Sequence, residues 1–172
     1  VELDANLAIP AHQLTAIQEL GYGTNAKMMI GVSSRPWRTL GGNGTAYSDL
    51  TNLQTTWETN PTLGSETRGI LTDYSSGARG AGLNPNAVQI EAQQFLTDLN
   101  QVFPGTLGAA TLVQGQYLAH LEHWPSNPFM KGSYTCYKPG QFTTIAGLEG
   151  LSAGNLLFAG EHTNSFYEWQ GF

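Results

Sequence analysis

Lys27 is the residue whose surroundings most suggest chemistry. It stands between Ala26 and the apolar run Met28-Met-Ile30, in a chain with only seven lysine and arginine residues. A strand lysine of this kind is commonly an edge residue whose stem packs while its amine reaches water. The alternative is a buried amine that faces a site, where its pKa responds to the surroundings. The residues alone leave both interpretations open.

The histidines and the single cysteine do not make a recognisable metal or thiol site. His120 and His123 are three residues apart, which brings two ligands together on a helix, but their segment alternates like a strand. His162 follows Glu161 after an apolar segment, where loops often meet ligands, although a loop histidine without such a role is commoner. Cys136 is alone, which excludes an internal disulfide and a thiolate-rich metal site.

Composition narrows the classes of partner. Of the 172 residues only 12% are charged, the formal net charge is −6, and the basic residues form no cluster. Nucleic acid and anionic membrane surfaces are therefore not expected as partners. The longest apolar runs, such as that within 155–160, have the length of a strand, so no membrane segment is predicted.

Two common catalytic motifs are missing from the sequence. Glycines cluster at 41–44 and 77–82, but neither cluster has the dinucleotide or phosphate-loop pattern after a strand. The pyrophosphate of a dinucleotide cofactor would then need another part of the protein. No G-x-S-x-G nucleophile elbow occurs either, which argues against a hydrolase.

Both helices and strands are predicted as the elements that must position these residues. The patterns predict helices over 10–20, 86–103 and 142–148, and strands or β-prone segments over 24–34, 47–58, 69–75, 111–122, 132–137 and 156–159. We therefore expect an α+β fold whose sheet is mixed or largely antiparallel.

Three ordered sequence blocks resemble the flavin-containing, FAD-dependent monoamine oxidase family. The last block is Leu157-Phe-Ala-Gly-Glu-His-Thr163 followed by Trp169-Gln-Gly-Phe172. The middle block is His123-Trp124 followed by Lys131-Gly-Ser-Tyr134, and the first is Gly23-Thr-Asn-Ala-Lys27 with Pro36-Trp37. One block alone would be weak support, whereas three in the family's order make the resemblance specific.

The resemblance implies a discontinuous domain layout. Residues 1–16 would end a segment of the FAD domain, 17–126 would form part of a mixed-sheet substrate domain, and 127–172 would return to a Rossmann-like FAD-binding domain. The family's glycine loop lies upstream of all three segments. Since the chain starts at Val1 and stops within an aromatic segment, we expect a fragment that lacks this loop and is inactive alone.

The implied reaction is oxidation of a primary or secondary amine to an imine. Hydride passes to FAD, and oxygen or another electron acceptor reoxidises the flavin, while the protein orients the substrate and tunes the ring. The alternatives are an L-amino-acid oxidase or a polyamine oxidase of the same superfamily, which a carboxylate-binding arginine or an acidic tunnel would distinguish. A non-catalytic β-rich binding module, suggested by the Asn-, Gln-, Thr- and Gly-rich composition, would carry no flavin.

The resemblance also implies roles for individual residues. Lys27 would hold a water near flavin N5, and this raises the expectation that it is functional. Tyr134 and Phe172 would face each other in front of the flavin and guide the amine between them. Trp124 would help to wall the substrate site.

A second set of residues is implied at the cofactor. The set comprises Ser133, Gly160, Glu161, Trp169, Gly171 and Phe172. Gly160 and Glu161 would touch the ribityl and pyrophosphate region, and the last three residues would touch the isoalloxazine edge. Ser133 stands where animal monoamine oxidases have the cysteine that bonds the flavin, so FAD is expected to bind noncovalently. His162 receives no role.

Overall fold

The computed structural model describes residues 3–4, 6–61 and 67–164, and these residues separate into two units. The sheet unit comprises residues 24–131, and the terminal unit comprises the residues before 24 and after 131. The helices are α1 Ala11–Glu19, α2 Pro36–Thr39, α3 Gly77–Gly82, α4 Val88–Val102, α5 Thr106–Ala109 and α6 Gln141–Thr144. The strands are β1 Ala26–Val32, β2 Ala46–Tyr47, β3 Thr55–Glu58, β4 Gly69–Ser75, β5 Leu112–Val113, β6 Gln116–Tyr117 and β7 Ala119–His123.

The sheet unit is built on five strands in the order β2-β3-β4-β1-β7. Every strand pair among the described residues is antiparallel, including the separate β5–β6 hairpin. Of the two sheet types expected from the sequence, the described part of the chain forms the antiparallel one, and the expected mixed sheet is corrected accordingly. A parallel neighbour needs a crossover, usually a helix, whereas β2, β3 and β4 follow one another through short connections.

One face of the sheet packs on α4. Met28, Ile30 and Val32 of β1 are fully buried, as are Phe95 and Leu99 of α4. Because strand residues alternate between faces, Lys27 and Met29 point to the other face of β1 and are only partly buried. Burying each large apolar side chain contributes about 1.5–3 kcal/mol, so this core fixes the face to which Lys27 points.

The terminal unit is held by backbone pairing between two distant segments. Gly23 N donates to Tyr134 O at 2.7 Å, Ser133 N to Gly23 O at 2.9 Å, and Cys136 N to Gly21 O at 2.9 Å. A Cβ on Gly21 would lie 2.1 Å from the carbonyl oxygen of Cys136, so this close approach requires glycine. The pairing therefore fixes the backbone on which Ser133 and Tyr134 stand.

Two strands predicted in this unit do not form. Residues 132–137 make one isolated bridge, Tyr22 with Thr135, and residues 156–159 make another, Ala153 with Leu156. A strand exists only as part of a ladder, and no extended neighbour in the described part of the chain lies along residues 156–159. Leu157 is accordingly 77% exposed. The described residues also contain no helix that is long and apolar enough to cross a membrane.

Candidate functional site

In the sheet unit, Lys27 lies between two neighbours that the sheet register supplies. It is directly opposite Tyr74 on β4 and Glu122 on β7. Directly opposite residues of antiparallel strands project to the same face, so the three side chains form a row. Lys27 Nζ lies 5.7 Å from the centroid of the Tyr74 ring, within the range of a cation–π contact.

The same face carries a second aromatic ring. Trp57 of β3 contacts Tyr74, with ring centroids 5.9 Å apart and planes inclined at 59°. The Thr59 and Thr72 hydroxyls are hydrogen-bonded at 2.6 Å. Lys27 is therefore part of a face that combines a cation, two aromatic rings, hydroxyls and the carboxylate of Glu122. We call this surface the lysine face and define it by Lys27, Trp57, Tyr74 and Glu122.

Sequence reasoning missed Trp57, Tyr74 and Glu122. Each belongs to a different strand from Lys27, and strand register depends on long-range pairing that local periodicity does not reveal. The signal available in the sequence was the alternation within each β-prone segment. It shows which side chains of one strand share a face, but it does not show which residues of different strands lie side by side.

The two neighbouring histidines of β7 lie apart, as strand alternation predicts. His120 Nε2 is 3.4 Å from Glu122 Oε2 at the surface. His123 Nε2 donates a hydrogen bond to the carbonyl oxygen of Gly80 at 3.0 Å. Among the described residues, no three His, Cys, Asp or Glu side chains are grouped so that they could hold a metal ion.

Trp124 begins a 3₁₀ turn, Trp124–Ser126, immediately after β7. His123, the residue before it, pairs with Ala26, the residue before Lys27. Trp124 therefore follows the end of β7 that is paired with the start of β1, where Lys27 lies. The structure brings these two predicted site residues to the same end of one strand pair.

In the terminal unit, the predicted residues Ser133, Tyr134, Gly160 and Glu161 are joined through Thr135. The Glu161 carboxylate accepts hydrogen bonds from Thr135 N at 3.2 and 3.1 Å and from Thr135 Oγ1 at 3.1 Å. Tyr134 is 45% exposed, so part of the residue is accessible. Trp169, Gly171 and Phe172 lie outside the described residues.

Tyr22 and His162 complete this cluster, and sequence reasoning assigned no role to either residue. Their ring centroids are 6.1 Å apart. Burial raises the pKa of the Tyr22 hydroxyl, and the nearby Glu161 carboxylate raises it further. Tyr22 therefore remains a neutral hydroxyl through the physiological range.

The sequence of the chain matches the model of a known protein family. The model of the flavin containing amine oxidoreductases matches residues 2–168. The chain belongs to this family. Its members use FAD, and the resemblance of the three sequence blocks is confirmed at the level of the family.

Individual relatives and solved structures agree with the family. The Bacillus subtilis (strain 168) protein named "Putative L-amino-acid oxidase YobN" is 25% identical over 157 residues, 90% of this chain and 31% of that protein. Putrescine oxidase bound to putrescine matches with a TM-score of 0.72 at 16% identity. Cyclohexylamine oxidase from Brevibacterium oxydans IH-35A matches with a TM-score of 0.71 at 19% identity.

Each of the two structures is matched over 91% of this chain and 33% of its own length. The chain thus spans about a third of the length of the flavin amine oxidoreductases it matches. At these identities the two structures show that the fold is shared.

Two observations bear on how FAD would fit the terminal unit. Gly160 is exposed and has a φ of +140°, which L side chains rarely adopt, so this position requires glycine and leaves its backbone without a side chain of its own. Glu161 instead directs its carboxylate to Thr135. Since two anions repel each other, the geometry favours approach at Gly160 over direct contact between Glu161 and phosphate groups.

Proposed function

We propose that the complete protein carrying this chain oxidises a primary or secondary amine to an imine in the manner of a monoamine oxidase. Bound FAD would supply the hydride acceptor, and oxygen or another electron acceptor would return it to the oxidised state. Membership of the family supports the reaction class. The observation that carries the proposal for this chain is the lysine face, where Lys27 lies at the ring of Tyr74 and opposite Glu122.

In this proposal Lys27 donates a hydrogen bond to a water beside the reacting centre. The contact with the Tyr74 ring limits the positions that the amine can take. Apolar packing on the other face of β1 keeps the lysine pointing to this side. These contacts support a functional role over that of an edge lysine.

The substrate residues of the proposal are Trp124, Tyr134 and Phe172. Trp124 would wall the site, while Tyr134 and Phe172 would orient the amine between their rings. The exposure of the Tyr134 ring is consistent with contact to a ligand.

We further propose that Ser133, Gly160 and Glu161, with Trp169, Gly171 and Phe172, belong to the surface that faces FAD. A serine hydroxyl at position 133 does not form the thioether that a cysteine forms with the flavin, so FAD would bind noncovalently. The oxygen-bearing side chain instead offers a hydrogen bond.

The proposed domain layout is a partial substrate domain over 17–126, flanked by FAD-domain segments over 1–16 and 127–172. The division of the chain into residues 24–131 and the residues on either side supports this layout, although its boundaries differ by several residues. A Rossmann-like character of the terminal unit is part of the proposal.

An L-amino-acid oxidase or a polyamine oxidase is the second candidate function. Similarity to the relative named as an L-amino-acid oxidase favours the first, and the acidic Glu122 on the lysine face suits the second ammonium group of a polyamine. Anaerobic bleaching of the flavin by cyclohexylamine, putrescine or L-leucine distinguishes the three substrate classes. A complete protein that contains no flavin would instead support a non-catalytic binding module.

A further inference from the structure

Both oxygens of the Glu161 carboxylate are hydrogen-bonded within the terminal unit. Both of its oxygens accept from the backbone N of Thr135, and one also accepts from the Thr135 hydroxyl, at 3.1–3.2 Å. Thr135 is itself buried, at 5% exposure. Hydrogen bonds to an ionised acceptor in such surroundings are stronger than neutral ones, so this contact holds the carboxylate in one orientation.

This contact connects two segments that each carry proposed site residues. Thr135 directly follows Ser133 and Tyr134, whose backbone is paired with Gly23. Glu161 directly follows Gly160 and begins a 3₁₀ turn, in which Thr163 N and Oγ1 donate to the Gly160 carbonyl oxygen at 3.1 and 2.8 Å. A single carboxylate therefore couples the position of the Gly160 turn to that of the Tyr134 segment.

The opposite side of the turn is also packed. A Cβ on Gly160 would lie 2.8 Å from Cε1 of His162, and the His162 ring lies against Tyr22. Tyr22 in turn is bridged to Thr135. The Gly160 turn is thus held by Thr135 through Glu161 and by Tyr22 through His162.

We infer that Glu161 is a positioning residue that acts through Thr135, and that its carboxylate is not a ligand of the FAD phosphates. Its function is to hold the exposed Gly160 backbone at a fixed distance from Tyr134, so that the cofactor-binding and substrate-binding residues keep a fixed relative position. This inference rests on the proposed function, and it deepens the role of the terminal unit within it.

The test uses the complete protein and compares Thr135→Val, Thr135→Ser and Glu161→Gln. Valine keeps the shape and the backbone N–H but removes the hydroxyl donor, whereas serine restores it. Thr143→Val is the matched control, because the Thr143 hydroxyl is an exposed donor to Gly140 O in the same unit. The measurements are the dissociation constant of FAD from the reconstituted apoprotein, the visible spectrum of the bound flavin, and KM and kcat.

We expect Thr135→Val to weaken FAD binding by about five- to tenfold, because it removes the hydroxyl donor to Glu161 while the backbone N–H of residue 135 still donates, and to raise KM through Tyr134. Thr135→Ser should bind FAD within about threefold of wild type, as should Thr143→Val. Glu161→Gln should weaken FAD binding, and the double variant with Thr135→Val should lose less than the product of the two single effects.

Two other results would overturn the inference. If Glu161→Gln tightens FAD binding, the carboxylate faces the phosphates and repels them. If Thr135→Val and Glu161→Gln both keep the FAD affinity of the Thr143→Val control in a yellow protein, the coupling through Thr135 is refuted while the proposed function stands. A wild-type protein without flavin would refute the proposed function and this inference with it.

Discussion

Lys27 carries the strongest chemical prediction at the scale of single residues. Lys27→Met removes the amine but keeps the length and apolar stem, so folding and FAD content should persist. We expect reoxidation of the flavin by oxygen to slow by at least about tenfold, since one well-placed polar group is worth a few kcal/mol in catalysis. Stopped-flow measurement of both half-reactions tests this.

The matched control is Lys138→Met, an exposed lysine of the terminal unit. It should leave both half-reactions at the wild-type rate. If Lys27→Met behaves like this control, Lys27 is an edge lysine whose amine simply reaches water.

Tyr134 and Phe172 give a second prediction at this scale. Tyr134→Phe keeps the ring and should change kcat/KM little. Tyr134→Ala or Phe172→Ala should lower kcat/KM by about ten- to a thousandfold through misorientation of the amine, without a comparable loss of FAD. Tyr47→Ala, at a ring that is 82% exposed, serves as the control.

Steady-state kinetics with the best amine, together with the flavin content of each variant, shows whether these rings orient the amine or only pack. Wild-type turnover in both alanine variants would make these rings ordinary packing residues.

At the scale of elements, β4 contains a buried carboxyl group that links stability to pH. Asp73 has no exposed surface, and burial raises the pKa of its carboxyl group. Hydrogen bonds from Ser75 Oγ at 2.6 Å and Gln54 N at 3.1 Å, and Arg79 at 3.9 Å, oppose this rise. The folded state therefore binds a proton more tightly than the unfolded state, in which the pKa is about 3.9.

The sign of the effect follows from this difference in proton binding. The contribution of Asp73 is fully present below the unfolded pKa, and it decreases as pH rises through the raised folded pKa. Asp73→Asn cannot ionise, so its free energy of unfolding relative to wild type should increase across that window and level off above it. Denaturant unfolding between about pH 4 and 8 measures the difference.

Asp49→Asn, at an exposed aspartate, is the control for this series. Parallel stability curves for Asp73→Asn and Asp49→Asn would contradict the assignment of the pH dependence to the buried carboxyl group.

The elements also show which features could be predicted from the sequence. The helix predicted over 86–103 is observed as Val88–Val102, because amphipathic spacing and the following Pro104-Gly105 are local signals. The predictions of strands over 132–137 and 156–159 are wrong. A strand forms only by pairing with another segment, and the sequence of the segment itself does not show whether such a partner is present.

The same distinction applies to the candidate site. Lys27 was recognisable as an unusual residue from its neighbours in sequence. Its position opposite Tyr74 and Glu122 depends on pairing with residues that are 47 and 95 positions away in the sequence, and the Thr135–Glu161 contact spans 26 residues. Such contacts are set by tertiary packing and register, which a single sequence does not specify locally.

At the scale of the whole molecule, the chain corresponds to about a third of its structural relatives. The 172 residues contain no pyrophosphate-binding glycine loop of the dinucleotide type. The proposal therefore predicts that the 172-residue chain alone is colourless.

The absorption spectrum of the complete protein, recorded before and after acid precipitation, tests the proposed function most directly. We predict a yellow protein with the two visible bands of oxidised flavin. Because position 133 is serine, acid should release the FAD into the supernatant. Flavin that stays with the precipitated protein would contradict noncovalent binding, and a complete protein without flavin would contradict the proposed amine oxidation.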